Sequence, residues 1–461
     1  MSNISNSAQI QTSTSTGIRP ILFATMVTAI GGFLFGYDTA VISGAIGFME
    51  KHFQLSTSQT GWAGASAIVG CIPGAAFAGF LSDRFGRRKV LFLCAILYAV
   101  SGIVSAIPQT FGQFLLARFF GGIGIGASSM ICPVYIAEIA PQKHRGRLGS
   151  LFQLGIVFGI FLVLFVNLLI QRLGDLTWNT HMGWRWMLGS ETLPALLFFL
   201  LLFTVPESPR WLVVNGQETA ARDILIKLTG AEAAKQEIAA IQEVASQENG
   251  RFSELFEPNQ RRPLTIALML AVFSQFSGIN AIMYYAPEIF KMTGGTMDSA
   301  FASSVWVGLV SLVFTFVAIL FVDKAGRKPL LIIGTAIQAI SLAGVGYMFH
   351  TGHNATGILL FILLFVAAFA MSTGPIGWII ISEIFPARIR GRASSVAVLT
   401  IWAACAIVAQ TFPVLRESIG GAFTFWIYGA CSLGSLVFII CVLPETKGRT
   451  LEEIEASWRK H

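Results

Sequence analysis

A run of about twenty mostly apolar residues, long enough as a helix to cross a bilayer, recurs twelve times in this 461-residue chain. The runs cover roughly 20–48, 60–81, 90–108, 112–136, 149–172, 185–205, 264–291, 300–322, 329–349, 356–381, 394–415 and 422–443, numbered here as spans 1 to 12. In hydrocarbon every backbone N–H and C=O needs a partner inside the protein, which leaves only helices or closed barrels. Long unbroken apolar runs, rather than alternating strands of about ten residues, exclude the barrel. The expected fold is therefore an all-α membrane protein with twelve transmembrane helices. Charged residues make up 12% of the chain against 54% hydrophobic, whereas about a quarter is usual in soluble domains. A soluble enzyme, a disordered chain and a nucleic-acid binder are excluded despite the net charge of +7.

The basic residues instead report orientation, because short loops rich in Lys and Arg stay cytoplasmic. Loop 2–3 holds Arg84, Arg87, Arg88 and Lys89; loop 4–5 holds Lys143, Arg145 and Arg147; loop 8–9 holds Lys324, Arg327 and Lys328; loop 10–11 holds Arg388, Arg390 and Arg392. The opposite loops carry only Lys51, Arg172, Lys291 and Arg416. Both termini are expected inside a multi-pass protein of the cell (inner) membrane.

The polar punctuation repeats. DRFGRRK (83–89) returns as DKAGRKP (323–329), AEIAPQKHRGR (137–147) as SEIFPARIRGR (382–392), and PESP (206–209) as PETK (444–447). Near-constant offsets mean duplication, and paired six-span halves are a transporter architecture with a substrate site near the midplane. The expected organisation is a disordered tail (1–18), a six-helix bundle (19–205), a cytoplasmic linker of short amphipathic helices (206–263), a second bundle (264–443) and a cytoplasmic tail (444–461). The Ser/Thr-rich N-terminal tail lacks the basic start of a secretory signal, so span 1 is expected to be retained. The six cysteines lie in apolar stretches without metal-ligand spacing, and the HxxH of His350 and His353 lacks an acidic partner. No cofactor or metal is expected. GGIGIGASS (121–129) follows no strand and is rejected as a dinucleotide loop; Gly122 and Gly126, four apart, suit close helix packing.

Charge at membrane depth costs at least about 2.5 kcal/mol on insertion scales and demands a partner or a water-filled cavity. Asp38 in span 1, Arg118 in span 4 and Glu191 in span 6 stand in apolar runs. Asp38 and Arg118 form a candidate pair: desolvation favours a neutral acid and a nearby cation an ionised one, opposed terms that suit a titratable switch. Gln153, Gln275, Asn280, Trp378 and Trp402 are costly or bulky groups within spans, and amides beside aromatic rings suit a polar ligand that has one weakly polar face. Gly278 after Ser277, with Pro287, is expected to loosen span 7, and Pro375 beside Gly374 to loosen span 10. Asp83, Arg84, Arg88, Glu138 and Arg147 mirror Asp323, Arg327, Glu383 and Arg392 in the second half.

FGYDTAVISGA, DRFGRRK, RFFGGIGIGASSM, PVYIAEIAP, PESPRWL, QFSGINAIMYYAP, GPIGWIIISEIFP, RGRASS and PETKGRTLEE together resemble the sugar-porter family of the major facilitator superfamily over about residues 20–455. Within it the chain looks most like the bacterial proton-coupled xylose and glucose transporters. The resemblance implies a monomeric proton-coupled symporter of a hexose or pentose, working by alternating access, with a monosaccharide, protons and the lipid bilayer as partners. A facilitative sugar or polyol uniporter and a transporter-like sugar receptor are the alternatives. It implies proton coupling at Asp38, Arg118 and Glu191. Sugar contacts are implied at Gln153, Gln275, Asn280, Tyr284, Gly374, Trp378 and Trp402, with Phe35 lining the same pocket. The mirrored cytoplasmic charges become an inner-side latch. Ser274, Ile401 and Cys405 depart from the family site, where amides are usual.

Overall fold

The structure is a computed structural model that describes residues 18–141, 144–246, 252–352, 355–386 and 389–445. Most of the N-terminal tail, His353, Arg388 and nearly all of the C-terminal tail lie outside the described residues. Spans 1 to 5 are the helices Ile18–Phe53, Thr57–Phe85, Arg87–Ala106, Phe111–Ile139 and Arg145–Gln171. Span 6, Leu176–Thr204, is built from short segments with a π turn at Asn179–Gly183. Spans 8 and 9 are Met297–Ala325 and Arg327–Thr351. Among the described residues, eleven stretches are long and apolar enough to cross a membrane. The count falls one short of twelve because spans 11 and 12 share one helical run, Arg390–Val442, interrupted only at Gly420, whose φ of 82° leaves the helical region.

Helix starts are fixed locally. At span 2, Ser56 N–H donates to Gln59 Oε1 at 2.8 Å and Gln59 N–H donates back to Ser56 Oγ at 3.4 Å. Thr110 and Gln113 repeat this capping box at span 4, satisfying helix N–H groups that would otherwise lack partners. Spans 2 and 4 meet closely because side chains are absent at the contact: a Cβ on Gly122 would lie 1.9 Å from the Ala67 carbonyl oxygen, and one on Gly126 2.2 Å from that of Cys71.

Spans 7 and 10 are each broken. Span 7 divides into Pro258–Phe276 and Ile279–Lys291 around Gly278, which sits in the left-handed region at φ 83°, a conformation cheap only for glycine. Span 10 divides into Ala355–Met371 and Thr373–Glu383 around Ser372. Pro375 falls in the first turn of the second piece, where its missing N–H costs no hydrogen bond. Gln338 of span 9 holds the break, its Nε2 donating to Thr373 Oγ1 at 2.9 Å and to Ser372 Oγ at 3.3 Å.

The duplication extends to hydrogen bonds. Gly86 and Gly326 turn the chain between spans 2 and 3 and between spans 8 and 9, with φ of 97° and 90°. Glu207 of PESP accepts from Arg87 N–H at 3.0 Å and Arg88 N–H at 3.2 Å. Glu445 of PETK accepts from Arg327 N–H at 3.3 Å and Lys328 N–H at 3.1 Å. A carboxylate at the positive end of a helix is stabilising, which gives the repeated motif its physical role. Between the halves, Pro209–Val214, Glu218–Thr229 and Ala231–Ser246 form linker helices around Leu212, Ala221, Leu225 and Ile238. Burial there raises the Glu237 carboxyl above its ordinary range, and Arg145 at the start of span 5 opposes the shift.

Candidate functional site

Asp38 lies midway along span 1, and neither it nor Arg118 reaches solvent, at 0% and 2% exposure. Arg118 donates from Nη1 to Asp38 Oδ1 and from Nη2 to the Asp38 backbone carbonyl at 2.9 Å, so the guanidinium grips both side chain and backbone. Glu191 of span 6, 1% exposed, is within electrostatic reach of both. Spans 1, 4 and 6 thus bring the three intramembrane charges into one cluster. Two acids share one cation, so the arrangement is short of positive charge unless a proton supplies it. Just above, Tyr37 and Ser190 hydroxyls meet at 2.8 Å.

The amides and aromatics gather in smaller groups. In the break of span 7, Asn280 Nδ2 donates to Gln275 Oε1, and Gln275 Nε2 donates to Ser274 Oγ at 3.0 Å. Phe35 of span 1 meets Trp402 of span 11 with ring centroids 5.4 Å apart, a contact between the two halves. The Trp402 Nε1–H is buried without an acceptor among the described residues, which leaves a donor for a bound hydroxyl. Tyr284 is buried and its hydroxyl lies 3.7 Å from Cys405 Sγ, so the thiol meets the tyrosine where an amide would hydrogen-bond it. Gln153 is half-buried on span 5. Gly374 abuts the Phe369 ring, 3.2 Å from a Cβ built there. Trp378, in the second piece of span 10, is 42% exposed. A separate groove of about 310 Å³ between spans 2, 3 and 4 is lined by Pro73, Phe77, Leu93 and Ile123; being apolar throughout, it offers a sugar nothing to bond.

The mirrored charges correct the expected latch. Arg87, rather than Arg84 or Arg88, pairs with Glu138, through Nε–Oε2 at 3.0 Å and Nη2–Oε1 at 3.1 Å. It also reaches Asp83 at 2.9 Å, and Ser208 Oγ–H donates to Glu138 Oε2 at 2.6 Å. The Arg88 guanidinium donates to the backbone carbonyls of Leu202 and Phe203, Arg84 lies over the Phe85 ring, and Arg147 is exposed. In the second half, Arg327 and Arg392 are half-buried, while the side chains of Asp323 and Glu383 lie outside the described residues. These ion pairs join helices within the first half.

Contacts between the halves gather instead on the face opposite the basic loops. Tyr285 of span 7 donates its hydroxyl to the carbonyl of Ala409 at 2.9 Å and lies 3.4 Å from that of Thr60. Gln410 Nε2 donates to the Ser58 carbonyl at 3.1 Å. Arg172 and Asp298 form a bidentate pair at 2.6 and 3.0 Å. Phe48 stacks on Phe301 with centroids 6.1 Å apart. Sequence reasoning missed Tyr285, Gln410 and this closure.

The family model described as Sugar (and other) transporter matches residues 24–458. The arabinose-proton symporter of Bacillus subtilis is 44% identical over 443 residues, 95% of each chain. The D-xylose-proton symporter of Escherichia coli is 42% identical over 475 residues, covering 95% of this chain and 96% of that one. The inward open conformation of the xylose transporter XylE from E. coli superposes with a TM-score of 0.85 at 42% identity, over 95% of this chain and 100% of that chain. A duplicated twelve-span fold, a buried acid–arginine cluster and these likenesses along nearly the whole chain establish that the protein belongs to the sugar-transporter family of the major facilitator superfamily.

Proposed function

We propose that the protein is a monomeric proton-coupled symporter that imports a pentose or hexose by alternating access, with its basic loops and both termini in the cytoplasm. The Asp38–Arg118 pair with Glu191 beside it carries the reading. Protonation of Asp38 weakens its hold on Arg118, and sugar bound between the halves makes the inward swing favourable only in that protonated state. The two bundles (19–205 and 264–443) are the moving parts and the segment 206–263 their tether. The gathering of inter-half contacts opposite the basic loops corresponds to a molecule closed outside and open to the cytoplasm, as does the likeness to an inward open relative.

The sugar is held in this reading by Gln153, Gln275, Asn280, Tyr284, Trp378 and Trp402, with Phe35 and Gly374 shaping the wall. Trp378 is exposed because it faces the open vestibule. Proteoliposome uptake across a panel of monosaccharides, with and without an inward proton gradient, tests the proposal. Accumulation that needs the gradient supports it. Uptake indifferent to the gradient favours a uniporter, and no competition by any monosaccharide overturns the sugar assignment.

Cys405→Asn should restore an amide beside Tyr284. One added hydrogen bond is worth about 0.5–1.5 kcal/mol, so the competing concentration of the preferred monosaccharide should fall by roughly two- to tenfold; an unchanged value would place Cys405 outside the sugar's reach. Glu138→Gln keeps the shape but removes the charge that neutralises Arg87. Hydrogen bonds to charged groups are worth about 1.5–3 kcal/mol, and because the pair joins spans 3 and 4 of one half and is intact in this form, we expect a less stable first bundle and slower uptake with the inward–outward balance unchanged. Altered labelling of cysteines placed in the outer and inner vestibules would argue that the pair acts between the halves instead.

A further inference from the structure

The charged cluster leaves a set of buried polar atoms without partners among the described residues: Asp38 Oδ2, Arg118 Nε, Glu191 Oε1, Ser101 Oγ, Ser105 Oγ and Thr192 Oγ1. They lie together. A Cβ on Gly121 would stand 2.2 Å from Ser101 Oγ and 3.5 Å from Asp38 Oδ2, and one on Gly102 would stand 2.8 Å from Thr192 Oγ1 and 3.6 Å from Glu191 Cβ. Ser105 follows Ser101 by one helical turn, about 6 Å along the axis, and span 3 ends at Ala106. Ser101 and Ser105 are 2% and 1% exposed. The other titratable groups around the cluster are committed elsewhere: Tyr37 to Ser190, Tyr98 to Ser128 at 2.7 Å, and the Cys71 thiol to the Ala67 carbonyl at 3.3 Å.

Buried polar groups of native proteins find a partner in protein or in water, and a water in such a site makes about three hydrogen bonds. A converging set of unpartnered oxygens and one guanidinium N–H is a site for ordered water. We propose that spans 1, 3, 4 and 6 enclose a hydrated chamber through which the proton passes between the outer end of span 3 and the Asp38–Glu191 pair, with Ser101 and Ser105 as positioning residues for its water. A proton entering at Ser105 moves from oxygen to oxygen and ends on the Asp38 carboxylate; each O–H bond formed balances one broken, and the positive charge is taken up by the acid.

The chamber lies wholly inside the first half, so the proton's path is distinct from the sugar's, which runs between halves. Its outer end is covered here. Arg185 Nη1 donates to the carbonyls of Ala106 and Pro108 at 3.1 and 3.2 Å, capping span 3. In an inward-facing molecule that cover keeps outside protons from crossing without sugar.

The inference rests on the proton-coupled reading, and its test separates the two. In proteoliposomes, sugar-driven proton uptake, sugar counterflow and the pH profile of uptake are measured for the wild type, Ser101→Ala/Ser105→Ala, Ser105→Ala and Ser105→Thr. Absence of sugar-driven proton uptake in the wild type would sink the coupled reading and the chamber with it. With coupling present, the double variant should lose at least about tenfold in proton-driven uptake, as loss of a proton-transfer path does. Counterflow, which needs no net proton movement, should stay within about twofold. The half-maximal rate should move to more acidic pH, because a slower proton supply is offset by a higher proton concentration. Ser105→Thr, which keeps the hydroxyl, should restore the wild-type profile. Wild-type rates and pH profile in the double variant would overturn the chamber. Should the double variant lose counterflow as well, Ser105→Ala decides by the same two readouts.

Discussion

Asp38→Asn should abolish sugar-driven proton uptake and accumulation against a gradient, while leaving sugar binding and exchange close to wild type. The asparagine keeps an oxygen where Arg118 Nη1 now donates, and the backbone carbonyl that accepts from Nη2 at 2.9 Å is untouched. Helix geometry and packing therefore survive. What disappears is the titratable charge, so the protein resides in a state that resembles protonated Asp38 at every pH. Asp38→Ala is a different experiment. It strips a fully buried guanidinium of its counter-ion, and breaking a buried pair costs about 3–5 kcal/mol, so low yield would report instability rather than coupling. Uptake by Asp38→Asn should also lose the wild-type dependence on external pH. Undiminished accumulation in the variant would remove Asp38 from the coupling step and leave Glu191 as the acid to test.

The cluster was legible in sequence because charge is scarce inside apolar runs and each instance demands a partner. Asp38, Arg118 and Glu191 needed no structure to be singled out. The breaks of spans 7 and 10 were legible for a similar reason: Gly278 and Pro375 mark where a continuous helix is costly. The latch was not. In DRFGRRK the three arginines are equivalent by composition, and the residue that faces span 4 is decided by the turn at Gly86, whose φ of 97° resets the helical phase. Only Arg87 then points at Glu138. The exposure of Trp378 has the same origin, since the break at Ser372 sets anew which face the second piece of span 10 presents. The closed outer face could not be read at all. It depends on Tyr285 meeting Thr60 and Gln410 meeting Ser58, pairs 225 and 352 residues apart, and no local pattern encodes such a pairing.

That closure makes the second large prediction. A Cβ on Gly61 would lie 2.3 Å from the backbone carbonyl oxygen of Gln410, and one on Gly64 2.5 Å from the Tyr285 hydroxyl. The Tyr285 side chain can swing aside, but the Gln410 carbonyl belongs to span 11 and cannot yield without the helix. Gly61→Leu should therefore wedge span 2 away from span 11 and hold the outer face open. The Arg172–Asp298 pair, exposed on both sides, adds too little to resist, since exposed ion pairs are weak and screened by salt. A bias of about 2.7 kcal/mol moves a two-state equilibrium a hundredfold, and a core clash of this kind typically costs about 1–3 kcal/mol. Uptake should fall by roughly one to two orders of magnitude, while sugar binding from outside is retained. Cysteines placed on the outer segments of spans 2 and 11 should label faster in the variant. Tyr285→Phe, which deletes the hydroxyl's contact with the Thr60 carbonyl across the halves but adds no bulk, should move the equilibrium the same way and by less. Wild-type uptake and labelling in Gly61→Leu would mean that the transport cycle does not require spans 2 and 11 to meet.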